Sequence, residues 1–292
     1  MKKQKTPLVS IVMPVYNAAE FLRESLDSIL SQTYCNWELI AVDDASSDNS
    51  YQILMQYADA DSRIKLYKNR NNLGVSKSAN KAISKAKGEY IARMDSDDIM
   101  FPDRLEKQLK YLQKHDDVLV VGMQCKFVNS RGDITGNKIF PTSFENIKSM
   151  MFWSIPMQQP SLMFNRNKLP KNFAWYDGGF TSAEDLELMF KLFKLGKVAN
   201  MSDFGLYYRI HGGNTSLINP KKTFYLTLKS RIRAVRKHGY KPSLKGLMLT
   251  AAQTAIVFIV PNKYIFPLFS VIRGFNKEVK HSLKRIQPAF VS

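Results

Sequence analysis

Short, continuously apolar runs alternate with amphipathic segments through the first 123 residues of this chain, and that alternation limits the fold more than any other feature. Leu8–Met13, Glu38–Val42, Ile64–Tyr67, Tyr90–Met94 and Val118–Met123 read as buried strands. Between them, Glu20–Leu30 spaces Phe21, Leu22, Leu26, Ile29 and Leu30 as a helix does. The polar loop Asp43–Asp48 is expected to cap a second helix starting near Asn49, and Val75–Lys87 and Arg104–His115 read as two more. Strands alternating with helices specify an α/β fold with a doubly wound, mostly parallel sheet. Uninterrupted apolar strands imply that both faces of it are covered.

In such sheets ligands bind beyond the carboxyl ends of the strands. Polar clusters fall at those ends: Tyr16-Asn17 after the first strand, Asp43-Asp44 after the second, and Asp95-Ser96-Asp97-Asp98 after the fourth. Residues 132–200 are less regular, with turn signals at Pro141, Pro156, Pro160 and Gly178-Gly179 and a helix over Ala183–Leu195. This stretch is expected to form the pocket of a second substrate.

Asp95, Asp97 and Asp98 repel one another unless a cation is present. Closely spaced hard oxygen ligands suit Mg²⁺ or Mn²⁺, ions that complete their shells with phosphate oxygens. Asp43 and Asp44 lie opposite, where a carboxylate can accept hydrogen bonds from a base imide or a ribose hydroxyl. Glu184-Asp185 opens a helix whose N-terminus is expected to lower the Asp185 pKa and leave it ionised at neutral pH. An ionised carboxylate in a cleft can take a proton from a hydroxyl nucleophile.

The charge is uneven. Of the net +18, residues 220–292 carry +14 and residues 1–219 only +4. The basic part accompanies an apolar, aromatic stretch from Gly246 to Gly274, interrupted by Pro261-Asn262-Lys263 and flanked by Arg231, Arg233, Arg236, Lys237, Lys277, Lys280, Lys284 and Arg285. Neither half reaches the roughly 20 apolar residues of a spanning helix. Apolar surface with clustered cations suits a segment lying on an anionic leaflet; the alternative is a helical subdomain packed on the main domain. No nucleic-acid partner is expected, because no binding module accompanies the charge. The basic N-terminus lacks the uninterrupted apolar core of a signal peptide, so a cytoplasmic location is expected. Cys35 and Cys125 lack metal or disulfide spacing and read as buried small hydrophobes in a reducing compartment.

Seven stretches resemble family 2 glycosyltransferases of the GT-A fold: Val12-Met13-Pro14-Val15-Tyr16-Asn17, Val42-Asp43-Asp44-Ala45-Ser46, Asn72-Leu73-Gly74, Gly88–Asp98, Pro102-Asp103-Arg104-Leu105, Ala183-Glu184-Asp185-Leu186 and Tyr208-Arg209-Ile210-His211. They run in family order over about residues 7–217. The forms at Arg93–Asp98 and Tyr208–His211 are similar to a bacterial subgroup that builds capsule, exopolysaccharide or lipopolysaccharide. The resemblance implies a GT-A catalytic domain over 1–219; the charge and apolar composition of residues 220–292 are what suggest a basic, helical C-terminal extension that associates with the inner face of the cytoplasmic membrane.

It also implies roles. Pro14, Tyr16, Asp43, Asp44, Asn72, Asp95 and Ser96 would bind the nucleotide-sugar. Asp97 and His211 would hold Mn²⁺ or Mg²⁺. Asp185 would be the base that activates the acceptor hydroxyl, with Glu184 positioning the acceptor. The donor would be a nucleotide-sugar, with UDP favoured, and the acceptor a glycan or a lipid-linked acceptor. Two departures stand out: Gln158-Gln159-Pro160-Ser161 replaces a common His-Pro-Ser, and Ala79 replaces a common arginine, leaving any phosphate contact there to Lys77 or another group. A sugar nucleotidyltransferase would be expected to carry a Gly-rich basic loop after the first strand, which Pro14-Val15-Tyr16-Asn17 is not. An inactive membrane scaffold would have no need of Asp95, Asp97 and Asp185.

Overall fold

The computed structural model describes residues 6–179, 183–214, 219–261 and 264–265. The chain runs through β1 (Val9–Val15), α1 (Leu22–Leu30), β2 (Trp37–Asp43), α2 (Ser50–Ala60), β3 (Ile64–Lys68), α3 (Val75–Lys85), β4 (Tyr90–Arg93), β5 (Ile99–Met100) and α4 (Arg104–Lys114). It continues through β6 (Val118–Val128), β7 (Ile134–Lys138), α5 (Phe144–Met150), β8 (Met163–Asn165), α6 (Glu184–Leu192) and β9 (Lys197–Arg209). Two helices close it, α7 (Pro220–His238) and α8 (Leu244–Ile259).

Every residue of β1 is buried, and the sheet grows outward from it. β2 and then β3 add in parallel on one side; the chain then returns through α3 to lay β4 in parallel on the other. This reversal makes the crevice beyond the carboxyl ends of β1 and β4 a topological switch point, where open sheets bind ligands. Beyond β4 the order continues β8, β6, β9, β5, with β7 paired to the side of β6. β6 and β9 are parallel, but the β4–β8, β6–β8, β5–β9 and β6–β7 pairings are antiparallel, so the second half of the sheet is mixed.

Alternate residues of β1 face opposite layers. Val9, Ile11, Met13 and Val15 pack with Leu22, Leu26 and Ile29 of α1, Leu54 of α2 and Leu105, Leu109 and Leu112 of α4. Val12 faces Ala79, Ala82 and Ile83 of α3, and the same layer takes in Ile147 of α5 and Leu186 and Phe190 of α6. Each such side chain contributes about 1.5–3 kcal/mol by leaving water, which holds the loops of the crevice on a rigid base.

β6 runs five residues past the expected end at Met123. The polar Gln124 continues it because its Nε2 donates to the Met201 carbonyl at 2.6 Å and its Oε1 accepts from Phe140 N at 2.6 Å. β7 and β9 carry Gly, Asn, Ser and Asp within their spans, and β5 and β8 have two and three residues. β7 and β9 show no apolar run, and β5 and β8 are too short to read as one, which is why the sequence did not announce them. Cys125 is buried in β6, whereas Cys35, expected to be buried, is exposed ahead of β2.

Asn219 Oδ1 caps α7 by accepting from Lys222 N at 3.0 Å, Pro220 supplies the first-turn φ, and Gly239 ends the helix at φ 66°. α7 packs on α6 through buried Glu187. Ser230 Oγ donates to Glu187 Oε2 at 3.2 Å, while Arg233 Nε and His238 Nε2 lie 3.1 and 2.9 Å from Oε1. No helix among the described residues is long and apolar enough to cross a membrane. Residues 266–274 of the apolar stretch, and Lys277, Lys280, Lys284 and Arg285, lie outside the described residues.

Candidate active site

The loops after β1 and β2 are stapled together. Asn17 N donates to Ser46 Oγ at 3.0 Å, Ser47 N donates to Asn17 Oδ1 at 2.8 Å, and Ala18 N donates to Ser50 Oγ at 2.8 Å. Asn17 and Ala45 sit in the left-handed region at φ 48° and 61°, as does Ala183 at 62°; among the described residues they are the non-glycine residues that do so. Such strain collects at functional sites, and here it marks the loops after β1 and β2 and the entry to α6.

Asp44 is committed to the fold. Its Oδ1 accepts from Asn69 Nδ2 at 2.7 Å and Leu73 N at 2.8 Å, and its Oδ2 accepts from Gly74 N at 2.8 Å. Those bonds fix the turn that starts α3, where Gly74 takes φ 86°. Asp43 is fully buried and accepts from Ser46 N at 3.4 Å. The acid that meets the start of α2 is Asp48, whose Oδ1 and Oδ2 accept from Ser50 N and Ala19 N, each at 2.9 Å. Burial opposes ionisation of Asp48, but these hydrogen bonds outweigh it and lower its pKa.

The acidic cluster divides by direction. Asp95 pairs at 2.6 Å with Arg93, an arginine fully buried in β4. Behind it the buried Arg104 donates from Nη2 to the Arg93 carbonyl at 2.9 Å, and burial pushes the Arg104 guanidinium down to about 10. Burial raises the Asp95 pKa against the pull of Arg93. Asp97 turns the other way: its Oδ2 lies 2.8 Å from His211 Nε2 and accepts from Asn214 Nδ2 at 3.4 Å. Asp98 points into the interior, where Oδ1 accepts from Arg209 N at 2.9 Å. Burial, then the charges of Asp97 and Asp95, push the Asp98 carboxyl well above the usual range. The repulsion read from the sequence is thus eased at Asp95 by two buried arginines, and persists at the inward Asp98, where it opposes ionisation.

Arg209 serves this geometry rather than the cleft. Its Nε donates to the Asp97 carbonyl at 2.9 Å, Nη1 donates to the Asn129 carbonyl at 3.0 Å, and Nη2 pairs with Glu24. It therefore holds the acidic loop against β9.

Glu184 and Asp185 open α6. Burial, followed by the neighbouring charge of Asp185, pushes the Glu184 carboxyl up to about 7. The Asp185 pKa is also raised, which corrects the expectation drawn from the helix N-terminus: desolvation outweighs the Leu186 N–H donated at 2.7 Å and the attraction of Lys138.

These residues meet in one cleft of about 780 Å³, within the range of small-molecule sites. Pro14, Tyr16, Asp44, Asn72, Asp95, Ser96, Asp97, Glu184, Asp185 and His211 all line it; Asp43 does not. Ala79 packs in the core, and Lys77 is exposed and away from the cleft wall. The cations that line it are Lys138 and Arg231. Lys138 escaped the sequence reading because it ends a polar strand; Arg231 was expected among the cations flanking the membrane-facing stretch, and its burial removes it from that cluster. Arg93 did leave a signal, a charge inside an otherwise apolar strand. Among the described residues no group of three or more His, Cys, Asp or Glu side chains could hold a metal ion. Asp97 and His211 offer one carboxylate and one imidazole, a set that fits an ion completing its shell with water and phosphate.

The family model for Glycosyl transferase family 2 matches residues 10–172, more than half of the chain. The chain belongs to glycosyl transferase family 2. Among its relatives is the O-antigen biosynthesis glycosyltransferase WbnJ of Escherichia coli, 33% identical over 215 residues, 71% of this chain and 82% of that one. Other family members match over 43% to 79% of their own length. The fold is that of TarS residues 1–349 from S. aureus, solved with UDP, at TM-score 0.63, 19% identity and coverage of 96% and 81% of the two chains. It is also that of the mannosyltransferase PcManGT from Pyrobaculum calidifontis, solved with GDP-Man and Mn²⁺, at TM-score 0.58, 18% identity and coverage of 98% and 88%. As a family 2 glycosyltransferase with a GT-A fold, this chain is a sugar-transferring enzyme rather than a nucleotidyltransferase.

Proposed function

We propose that this enzyme is an inverting glycosyltransferase of bacterial surface-polysaccharide synthesis, moving a hexose from a UDP-sugar to a hydroxyl of a glycan or lipid-linked acceptor. The observation that carries the reading is that Asp97 with His211, and Asp185, open into the same cleft at the switch point of the sheet. The likeness to WbnJ supports the pathway, and TarS bound to UDP supports the donor class.

Pro14, Tyr16, Asp44 and Asn72 form the wall for uracil and ribose, with Asp43 shaping that wall from beneath. Asp95 and Ser96 lie toward the sugar. Asp97 and His211 would hold Mn²⁺ or Mg²⁺, which supplies charge neutralisation on the leaving diphosphate. Asp185 accepts the proton of the acceptor hydroxyl as its oxygen attacks the anomeric carbon opposite the diphosphate; the C–O bond to the diphosphate breaks and its electron pair leaves on UDP. Glu184, a carboxyl near its midpoint at neutral pH, positions the acceptor. The protein's main contribution is alignment and fixed charge.

In this reading residues 1–219 form the catalytic domain and residues 220–292 attach it to the inner face of the cytoplasmic membrane. α8 supports that role: Leu244, Met248, Phe258 and Ile259 are 64% to 81% exposed on it. Exposed apolar side chains beside a basic segment suit an anionic bilayer surface.

The test is to incubate the protein with Mn²⁺, a panel of sugar nucleotides and a membrane extract. The reading expects metal-dependent release of a nucleoside diphosphate with one donor, and label carried into the glycan or lipid fraction. No release across the panel would refute it.

A further inference from the structure

Asp185 stands in the first turn of α6, and α7 runs beside α6 in the same direction. Ser230 Oγ donates to Glu187 Oε2 at 3.2 Å, and Lys194 Nζ donates to the Lys237 carbonyl at 2.8 Å; the partners in each bond are 43 residues apart. Leu226 packs on Ala183 at the same offset. A constant offset means that the two helices keep one parallel register, with their N-terminal ends side by side. Both ends open on the cleft: Ala183, Glu184 and Asp185 line it from α6, and Pro220, Thr223, Phe224, Thr227 and Arg231 from one face of α7.

Two of these contacts bear on the turn that carries Asp185. Ala183, the residue at φ 62° that enters α6, is buried against Leu226. A left-handed alanine persists only where its surroundings over-determine it. Glu187 shares the first turn with Asp185, is 1% exposed, and meets Ser230, Arg233 and His238, all from α7. Arg233 also pairs at 2.6 Å with Asp177, on the chain leading toward α6. Apolar contact alone tolerates slippage, whereas directional bonds to a buried carboxylate fix rotation and register. Register matters here because a slip of one residue turns a helix by about 100°, which would carry Asp185 out of the cleft.

We propose that α7 is the positioning helix of the catalytic base: through Leu226 on Ala183, and through Ser230, Arg233 and His238 on Glu187, it sets where Asp185 stands. Removal of the acceptor's proton then depends on a helix beyond residue 219, apart from any attachment of α8 to a membrane. Glu187 and Leu226 are positioning residues, since neither lines the cleft. The inference rests on the reading above in which Asp185 is the base.

The test uses the full chain and its E187Q, L226A and L226M variants. Transfer from the donor that the panel selects is measured with a detergent-solubilised membrane extract, so that no bilayer is needed, and backbone hydrogen exchange is followed by mass spectrometry. For E187Q and L226A the maximal rate is expected to fall about tenfold to a hundredfold, the cost of a small displacement of a reacting group. The donor KM, UDP affinity and binding to phosphatidylglycerol vesicles stay unchanged, and L226M restores most of the rate. Exchange rises over residues 184–192 and not over β1 and β4. UDP affinity or vesicle binding that falls along with the rate would overturn the proposal, because α7 would then act on the donor or through attachment. So would a parent-like rate in either folded variant, or exchange over 184–192 that stays at the parent's level or rises together with that of β1 and β4. If E187Q does not fold, L226A carries the comparison. A parent that transfers nothing counts against the donor reading instead, and the exchange comparison alone then decides whether α7 holds α6.

Discussion

Asp44 is expected to matter first for the fold, and Asp44→Asn isolates that role. The carboxylate takes three N–H bonds at 2.7–2.8 Å, two on Oδ1 and one on Oδ2. An asparagine amide has one oxygen. Placed toward Asn69 and Leu73 it keeps two bonds, and its NH₂ then faces Gly74 N, donor against donor. One charge-assisted bond worth about 1.5–3 kcal/mol is lost, Gly74 N keeps only its 3.1 Å bond to Asn72 Oδ1, and the two surviving bonds lose the charge, for a net cost of about 2–3 kcal/mol. For a chain of this size that lowers Tm by about 3–5 °C. Thermal unfolding followed by circular dichroism reads this directly, and calorimetric titration with UDP is run on the same samples below the transition. A variant whose Tm stays within about 2 °C of the parent while its UDP affinity collapses would refute the reasoning, because Asp44 would then act on the ligand and not on the turn that starts α3.

Asp185→Asn is expected to abolish transfer while leaving UDP affinity largely intact; equal loss of both would remove the assignment of the base. Burial raises the Asp185 pKa and Lys138 opposes it. The base must be ionised, so the rate falls as pH drops through that raised value, and Lys138→Gln is expected to move the acid limb of the kcat/KM profile to higher pH. A limb that stays in place or moves down would contradict this electrostatic reading. Replacing both Phe258 and Ile259, 80% and 81% exposed, with serine is expected to weaken binding to phosphatidylglycerol vesicles at least tenfold, since each apolar side chain contributes about 1.5–3 kcal/mol when buried, at unchanged Tm. Unaltered vesicle binding would remove α8 from the membrane contact.

The first half of the fold was legible because parallel strands buried on both faces must be nearly continuously apolar, and Leu8–Met13, Glu38–Val42 and Tyr90–Met94 are so apart from Ser10, Glu38 and Arg93. The polar clusters that end them are what the crevice is made of, so Tyr16, Asp44 and Asp97 could be found from position alone. The second half was not legible in this way. β7 and β9 are stabilised by ladder hydrogen bonds and by side-chain partners such as Gln124, not by an apolar period. Directions within the acidic cluster were hidden as well: nothing in the order Asp95-Ser96-Asp97-Asp98 says that the first pairs with Arg93, the third with His211 and the fourth turns inward. The pKa of Asp185 shows the general difficulty. The helix N-terminus is visible in sequence, whereas desolvation depends on what the rest of the chain folds over it.

The central claim is that one divalent ion bridges this protein and a nucleoside diphosphate beside the residue that accepts the proton. A crystal grown with UDP and Mn²⁺, measured at the manganese absorption edge, tests it most directly. The account predicts an anomalous peak within coordination distance of Asp97 and the diphosphate, close to His211, in the cleft that Asp185 lines. Manganese bound elsewhere, or UDP seated outside that cleft, would contradict it.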